Sequence, residues 1–435
     1  MRVLLIAEAC NPEWVSVPLE GWSHSRAIAG KVDAHLVTQV RNRDAITRAG
    51  LREGVDFTAI NSEAIEARIY RLAERLRGGA NKGWTVVTGL AALSYPYFEH
   101  LVWQQFGHRI RQGEFDVVHR ITPLSPTMPS ALAGKCREAG VPFVLGPLNG
   151  GVPWPRAFDA ARRKEKEWLS YVRDGYKLMP GYHSTRQNAS AIVIGSRDTW
   201  DQMPASYRRK CVYIPENAID PARFAKRRSR AARLPIRCAF IGRLVPYKGA
   251  DMLLEAAAPL VREGKLTIDI IGDGPQRPDL EAIVTREQIQ SGVTLAGWVP
   301  HAKLQDRLIE ADLFTFPSIR EFGGAVALEA MAVGVVPVVV GYGGPAELVT
   351  DRTGWLVPIG SRQEIIRNLR SLLTDLADHP EKIDAKSAPA YERAHRQFTW
   401  DAKAQQLIAV YRWVTGTVSQ KPCFGMPLPD SADGQ

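Results

Sequence analysis

The sequence predicts an α/β protein of two parallel-sheet domains, and three observations carry that prediction. A buried strand, Arg2 to Ala9 (RVLLIAEA), is followed by a helix and a second strand at His35 to Thr38, which is a βαβ start. The pattern restarts at Arg237 to Ile241 (RCAFI), with glycines, the helix Ala250 to Arg262 and the strand Thr267 to Ile271 behind it. A length of 435 residues suffices for two or three domains, each with an ample core.

Taken in order, the first half reads as strands separated by helices and loops. Asn11 to Trp22 is Pro-rich, and Glu20-Gly21-Trp22 precedes a helix from Ser23 to Gly30. Glu63 to Arg77 is a charged amphipathic helix. Trp84 to Phe106 is apolar enough to raise a transmembrane question, but Pro96, Glu99 and His100 interrupt the run. It reads as helix packed on the sheet, with an interfacial membrane or acceptor surface as the other reading. Phe115 to His119 (FDVVH) is a strand followed by the loop Thr122 to Ser130, and Val141 to Leu145 ends in GPLNGG, Gly146 to Gly151. Both loops follow the carboxyl ends of parallel strands, where open α/β sheets place ligands. Arg162 to Trp168 is a solvated, mixed-charge helix face, and the strands Ala191 to Ile194 and Val212 to Ile214 close the first domain.

The expected organisation is a first domain over 1–220, a basic linker over 221–235 and a second domain over 236–395. A helix over 396–418 and a Pro/Gly/polar, disordered tail over 419–435 follow. In the second domain, Thr267 to Ile271 runs into Gly272-Asp273-Gly274-Pro275, and Val293 to Ala296 into Gly297-Trp298.

The net charge of +10 is uneven: residues 1–230 carry 34 Lys/Arg against 22 Asp/Glu, and the remainder 22 against 24. Two readings fit, a solvated basic surface with an Arg-rich linker, or a face drawn to an anionic membrane or an acidic acceptor. Nucleic acid is not expected as a partner, because no nucleic-acid motif accompanies the charge. Five cysteines without a CxxC spacing, and no signal peptide, predict free thiols in a reducing cytoplasm.

The chemistry concentrates in Phe316 to Glu347 (FPSIREFGGAVALEAMAVGVVPVVVGYGGPAE). A strand ending at Phe316 is stopped by Pro317-Ser318, and Gly323-Gly324 opens onto a helix from Ala325 to Val333. A glycine turn entering a helix is an anion site, because its free N–H groups and the helix dipole face the ligand. Glu321 precedes the glycines and Glu329 follows eight positions later. Two acids flanking a phosphate cradle suit a ligand with sugar hydroxyls beside its phosphates. Upstream, Arg243 and Lys248 lie five apart in IGRLVPYKG, between a strand and a helix. Two cations there stabilise the charge that develops on a departing diphosphate more than the charge it starts with.

This combination resembles the glutamate–seven residues–glutamate signature of retaining glycosyltransferases with the GT-B fold, of the large family 4 (group 1) type. The resemblance implies two Rossmann-like domains with parallel sheets facing across a cleft, and transfer of a sugar from a nucleoside-diphosphate sugar with retention of configuration. Arg243, Lys248 and Glu321 would be the catalytic residues, with the departing phosphate itself taking the acceptor proton. The donor would be held by Gly21, Gly242, Gly272, Gly274, Gly297, Trp298, Gly323, Gly324, the N–H groups of Ala325 and Val326, and Glu329 on the ribose. His24, His119 and Asn149 are the acceptor-side candidates, and for each histidine a satisfied core role is the competing reading. Asn149 stands in a region where many members carry a histidine. No cofactor and no metal are expected, since the cations and the helix dipole take the metal's place.

The expected partners are the nucleotide-sugar, a glycan or glycolipid acceptor of envelope or exopolysaccharide biosynthesis, and an anionic membrane surface. The expected location is cytoplasmic, peripheral to the inner face of the plasma membrane. Two alternatives stand beside this reading: a same-fold epimerase or sugar-phosphate transferase, and a non-catalytic scaffold.

Overall fold

A computed structural model describes residues 1–63, 84–158, 177 and 180–425, with the backbone alone for 84–93, 156 and 302. Most of the expected helix Glu63 to Arg77, the helix face Arg162 to Trp168, and the tail from 426 lie outside the described residues. Among those described, one unit holds residues up to Gly150, 177 to Glu216, and from Lys403. The other holds 151–158 and Asn217–Ala402.

Unit 1 is built on a seven-stranded sheet of β1 (Arg2–Ala7), β2 (Asp33–Gln39), β3 (Phe57–Ile60), β4 (Val117–Thr122), β5 (Phe143–Leu148), β6 (Ala191–Ile194) and β7 (Cys211–Tyr213). The spatial order is β3-β2-β1-β4-β5-β6-β7, and every pairing is parallel. The continuous apolar runs follow from that arrangement, since strands covered on both faces do not alternate. Val3, Leu5, Ile28, Val117, Val144 and Val193 share one core, which Leu407, Val410 and Tyr411 of the last helix (Trp400–Val414) complete.

Helix α1 spans Val17–Ala29, six residues earlier than the expected start at Ser23. Pro18 in the first turn explains this, because its ring presets a helical φ where no N–H partner is needed. Gly21 and Trp22 therefore lie inside the helix rather than before it. A Cβ on Gly21 would stand 2.1 Å from the Ala9 carbonyl oxygen, so glycine is what lets α1 lean on the segment after β1.

Helix α2 (Trp84–Arg111) runs unbroken through Pro96. Tyr95, Phe98, Val102, Phe106 and Ile110 are buried at three- and four-residue spacing, which makes it a helix packed by one stripe. Glu99 is also buried, and its carboxylate accepts from the Ala131 N–H at 2.8 Å and from the Ser130 hydroxyl. Among the described residues no helix is long and apolar enough to cross a membrane.

Unit 2 holds a six-stranded parallel sheet of β8 (Ile236–Ile241), β9 (Leu266–Ile271), β10 (Val293–Gly297), β11 (Leu313–Phe316), β12 (Val336–Val340) and β13 (Trp355–Val357). Its order is β10-β9-β8-β11-β12-β13. Helix α3 (Ala250–Arg262) buries Leu253, Ala256, Ala257 and Leu260, and helix α4 (Ala325–Ala332) follows β11.

The Arg-rich segment Pro221 to Pro235 is bound into this unit. Arg228 donates to Asp312 at 2.9 Å and to Asp384 at 3.0 Å, and Arg230 donates to the other oxygen of Asp312 at 2.7 Å. The side chains of Arg228 and Asp312 are 2% and 0% exposed, so part of the positive excess neutralises a buried carboxylate. Cys10, Cys136, Cys211 and Cys238 are buried free thiols, and Cys423 is exposed.

Candidate active site

The strand order of unit 2 locates a site before any side chain is considered. Chain order reverses between β8 and β11, which are neighbours in the sheet. At such a switch point the two following loops part and leave a crevice beyond the carboxyl ends of the strands. The loop after β8 carries Arg243 and Lys248, and the loop after β11 carries Glu321, Gly323 and Gly324. Fold topology thus brings together two motifs that lie far apart in the chain.

The contact between the loops is direct. Gly249 has φ +81°, and a Cβ there would lie 2.4 Å from the Pro317 carbonyl oxygen. The Ile319 N–H and the Ser318 hydroxyl donate to the Tyr247 carbonyl at 3.0 and 3.1 Å. So clamped, the Lys248 ammonium donates to the Glu321 carboxylate, with both side chains largely covered. Burial first, and then the charge of Arg320, lower Lys248 from 10.5 to about 8. Arg243 is exposed in the same loop.

Arg320, Phe322, Val152 and Trp154, which carry no signal in the sequence, also hold this loop. The Arg320 guanidinium lies 5.0 Å over the Trp154 ring and 5.7 Å over Phe322, and its Nε donates to the Val152 carbonyl at 3.4 Å. Trp154 also meets Tyr247 edge-on at 6.0 Å. Residues 152–154 thereby brace both loops. The prolines on either side of Trp154 favour extended backbone, but nothing in the sequence names the partner of this segment.

Gly324 adopts φ +71° and caps α4, so the N–H groups of Ala325 and Val326 stand in the first turn, where no intrahelical acceptor exists. Glu329 lies one turn further on, its side chain 14% exposed, and accepts from His301 Nε2 at 2.8 Å. Three glycine loops stack beside β8. The Gly272 N–H donates to the Gly297 carbonyl at 2.8 Å, and a Cβ on Gly272 would fall 1.9 Å from the Gly242 oxygen. A Cβ on Gly274 would fall 2.4 Å from the Leu244 oxygen. These glycines have a packing reason of their own, whatever the loop binds. Trp298 is 74% exposed at the end of the row.

Unit 1 holds the other expected residues, and their environment differs. His119 is buried, its Nε2 donating to the Gly146 carbonyl at 2.6 Å and its Nδ1 accepting from the Tyr411 hydroxyl at 2.6 Å. Burial lowers it to about 4, so it is a neutral histidine with both ring nitrogens engaged. The structure gives it the satisfied core role, and it presents no nitrogen to a substrate. His24 is buried as well, 3.2 Å from the Glu216 carbonyl, and lowered to about 3 by burial and the charge of Lys403.

Around His24 stands a polar cluster with no sequence signal. Glu20, Glu216 and Lys403 are gathered from α1, the end of β7 and the last helix. Burial raises Glu216 to about 7, against the opposing effects of the Asn149 amide and Lys403. Burial and the Glu216 charge hold Glu20 well above its usual range. Asn149 thus serves this cluster, and its own N–H donates to Leu124 at 2.8 Å.

The chain has the GT-B glycosyltransferase fold: sucrose-phosphate synthase from Thermosynechococcus elongatus superposes with a TM-score of 0.61 over 96% of this chain and all of that one, at 15% identity. The Anabaena HepE protein, solved in complex with UDP and glucose, gives a TM-score of 0.52 over 94% of this chain and 98% of that one, at 16% identity. Residues 235–375 match the family model of the group 1 glycosyl transferases. Among curated relatives, alpha-D-kanosaminyltransferase of Streptomyces kanamyceticus is 28% identical over 245 residues, 53% of this chain and 62% of that protein. The chain therefore spans less than two thirds of that relative's length.

Proposed function

We propose that the chain is a retaining glycosyltransferase that moves a sugar from a nucleoside-diphosphate sugar to a glycan or lipid-linked saccharide. The observation that carries this reading is the Lys248–Glu321 pair at the switch point of unit 2, with Arg243 in the same loop and Glu329 on the helix behind. A lone cation pair would suit any anion. Cations, a helix N-terminus and two carboxylates together suit a diphosphate joined to sugars on both sides. The family match over 235–375 supports the same assignment.

The chemistry follows from where charge develops. As the bond between the anomeric carbon and the distal phosphate oxygen breaks, negative charge grows on the diphosphate. Arg243, Lys248 and the first turn of α4 meet it, and this preorganised charge serves where other transferases use a metal. The diphosphate competes with Glu321 for Lys248, which frees Glu321 to hold a hydroxyl of the transferred sugar. The acceptor oxygen then bonds to the anomeric carbon on the face the phosphate leaves, and the acceptor proton passes to the departing phosphate oxygen. Glu329 takes the ribose hydroxyls.

Acceptor recognition falls to unit 1. The positive excess of the first half that lies before residue 217 supports an acidic or membrane-borne acceptor of envelope or exopolysaccharide synthesis, met at the inner membrane face. The test is release of nucleoside diphosphate from a panel of nucleotide-sugars with a mixed glycolipid acceptor extract. The wild type should turn over at least one donor, and the double variant R243A/K248A none. Full activity in that variant would remove the site from the reaction.

A further inference from the structure

The segment that reads as a linker reaches the carboxylate assigned to the ribose. Glu329 Oε1 accepts from His301 Nε2 at 2.8 Å, and on the opposite side of the same ring Nδ1 meets the guanidinium of Arg223. A guanidinium has donors only, so Nδ1 accepts and the ring proton sits on Nε2, aimed at Glu329. The ring is fixed in that plane by Phe224, buried and edge-on at 5.9 Å and 90°. Arg223 is itself anchored, because the Lys226 N–H donates to Gln305 at 3.2 Å and the Lys226 ammonium pairs with Asp306. All of these residues belong to unit 2.

We propose that His301, held by Arg223 with its proton on Nε2, is a positioning residue that aims the Glu329 carboxylate for ribose recognition. The inference rests on the donor-site reading given above. A carboxylate offers about four acceptor positions, and His301 uses one. The remaining positions suit two vicinal hydroxyls donating together, the arrangement a ribose presents and a 2′-deoxyribose lacks. With the opposite tautomer, the Nε2 lone pair would face the carboxylate and turn it away. The Arg223–His301 pair therefore sets discrimination at the 2′-hydroxyl without itself touching the sugar.

The experiment is calorimetric titration of the full chain with UDP, GDP and ADP, with the 2′-deoxy form of whichever binds, and with inorganic pyrophosphate. A hydrogen bond to a charged group is worth about tenfold or more in affinity. The wild type should prefer the ribonucleotide by about that factor. H301A should lose about tenfold for the ribonucleotide while deoxynucleotide and pyrophosphate stay within about twofold. R223A should move the same way by less, and H301Q, which keeps an N–H at that reach, should recover most of the loss. A preference unchanged in H301A, or ribo and deoxy affinities that fall together, would overturn the proposal. Equal binding of both nucleotides by the wild type would sink the role of Glu329. No binding of any nucleotide would sink the donor site, and the inference falls with either.

Discussion

The Lys248 ammonium is bonded to the Glu321 carboxylate across 73 residues of chain. An occupied cation is a cation whose ligand must compete for it. In E321A, Lys248 is released, and pyrophosphate should bind up to about fivefold tighter, the range of a partly exposed ion pair. Sugar transfer in the same variant should fall by about a hundredfold or more, since the contact to the transferred sugar is gone. Titration calorimetry and a transfer assay on one preparation check both signs, and weaker pyrophosphate binding would contradict the account.

The same lysine predicts a pH dependence. Burial and Arg320 bring Lys248 to about 8, so its charge is lost as pH rises through that value. Pyrophosphate and nucleotide affinity should fall between pH 7 and pH 9. K248R, whose guanidinium keeps its charge, should flatten the profile. A wild-type affinity that is level across this window would contradict the assignment.

Glu216 predicts a dependence of stability rather than binding. Its carboxyl is raised to about 7 in the folded chain from a usual 4.5. Between those values the folded state holds the proton that the unfolded state has released. Stability is therefore lost as pH rises through this window, by roughly 3 kcal/mol at full development. Buried His24 and His119 work in the opposite sense, so the informative quantity is the difference between wild type and E216Q. Urea unfolding of the two at pH 5, 6, 7 and 8 should show a shallower decline, or a steeper rise, in E216Q. Parallel profiles would place the raised value elsewhere.

Arg228 and Asp312 form a buried pair at 2.9 Å, and Asp312 serves Arg230 at 2.7 Å as well. Removing Asp312 takes a carboxylate from both arginines and leaves the buried Arg228 leaning on Asp384. D312A should destabilise unit 2 by about 3–5 kcal/mol, read from its urea transition. A cost under about 1 kcal/mol would mean the pair is solvated.

These residues also show what a single sequence discloses. Glu321, Gly323, Gly324 and Glu329 are legible because their meaning is local: a strand stops, a glycine turn follows, and a helix opens at fixed spacing. The parallel sheets are legible for a similar reason, as apolar strands alternate with helical patterns. Partners across long separations are not. Nothing in the neighbourhood of Glu329 points to His301 or Arg223, nor does Glu321 announce that residues 152–154 brace its loop. The linker displayed its arginines but not Asp312 and Asp384, which take up their charge. His119 stood at a strand end for either of two reasons, and its partners, Tyr411 and Gly146, come from elements remote in the chain. The start of α1 differs from the expected Ser23 because Pro18, a residue equally at home in a loop, occupies a helical first turn.

The most direct test of the central claim, that the switch-point crevice of unit 2 binds a nucleoside diphosphate, is thermal unfolding of the full chain with UDP, GDP and ADP. At a hundredfold excess over its dissociation constant, the matching ligand stabilises the folded state by about 2.7 kcal/mol. The account predicts a raised midpoint with at least one of the three, lost in R243A/K248A. An unmoved midpoint with all three at millimolar concentration, or a shift that survives in the double variant, would contradict it.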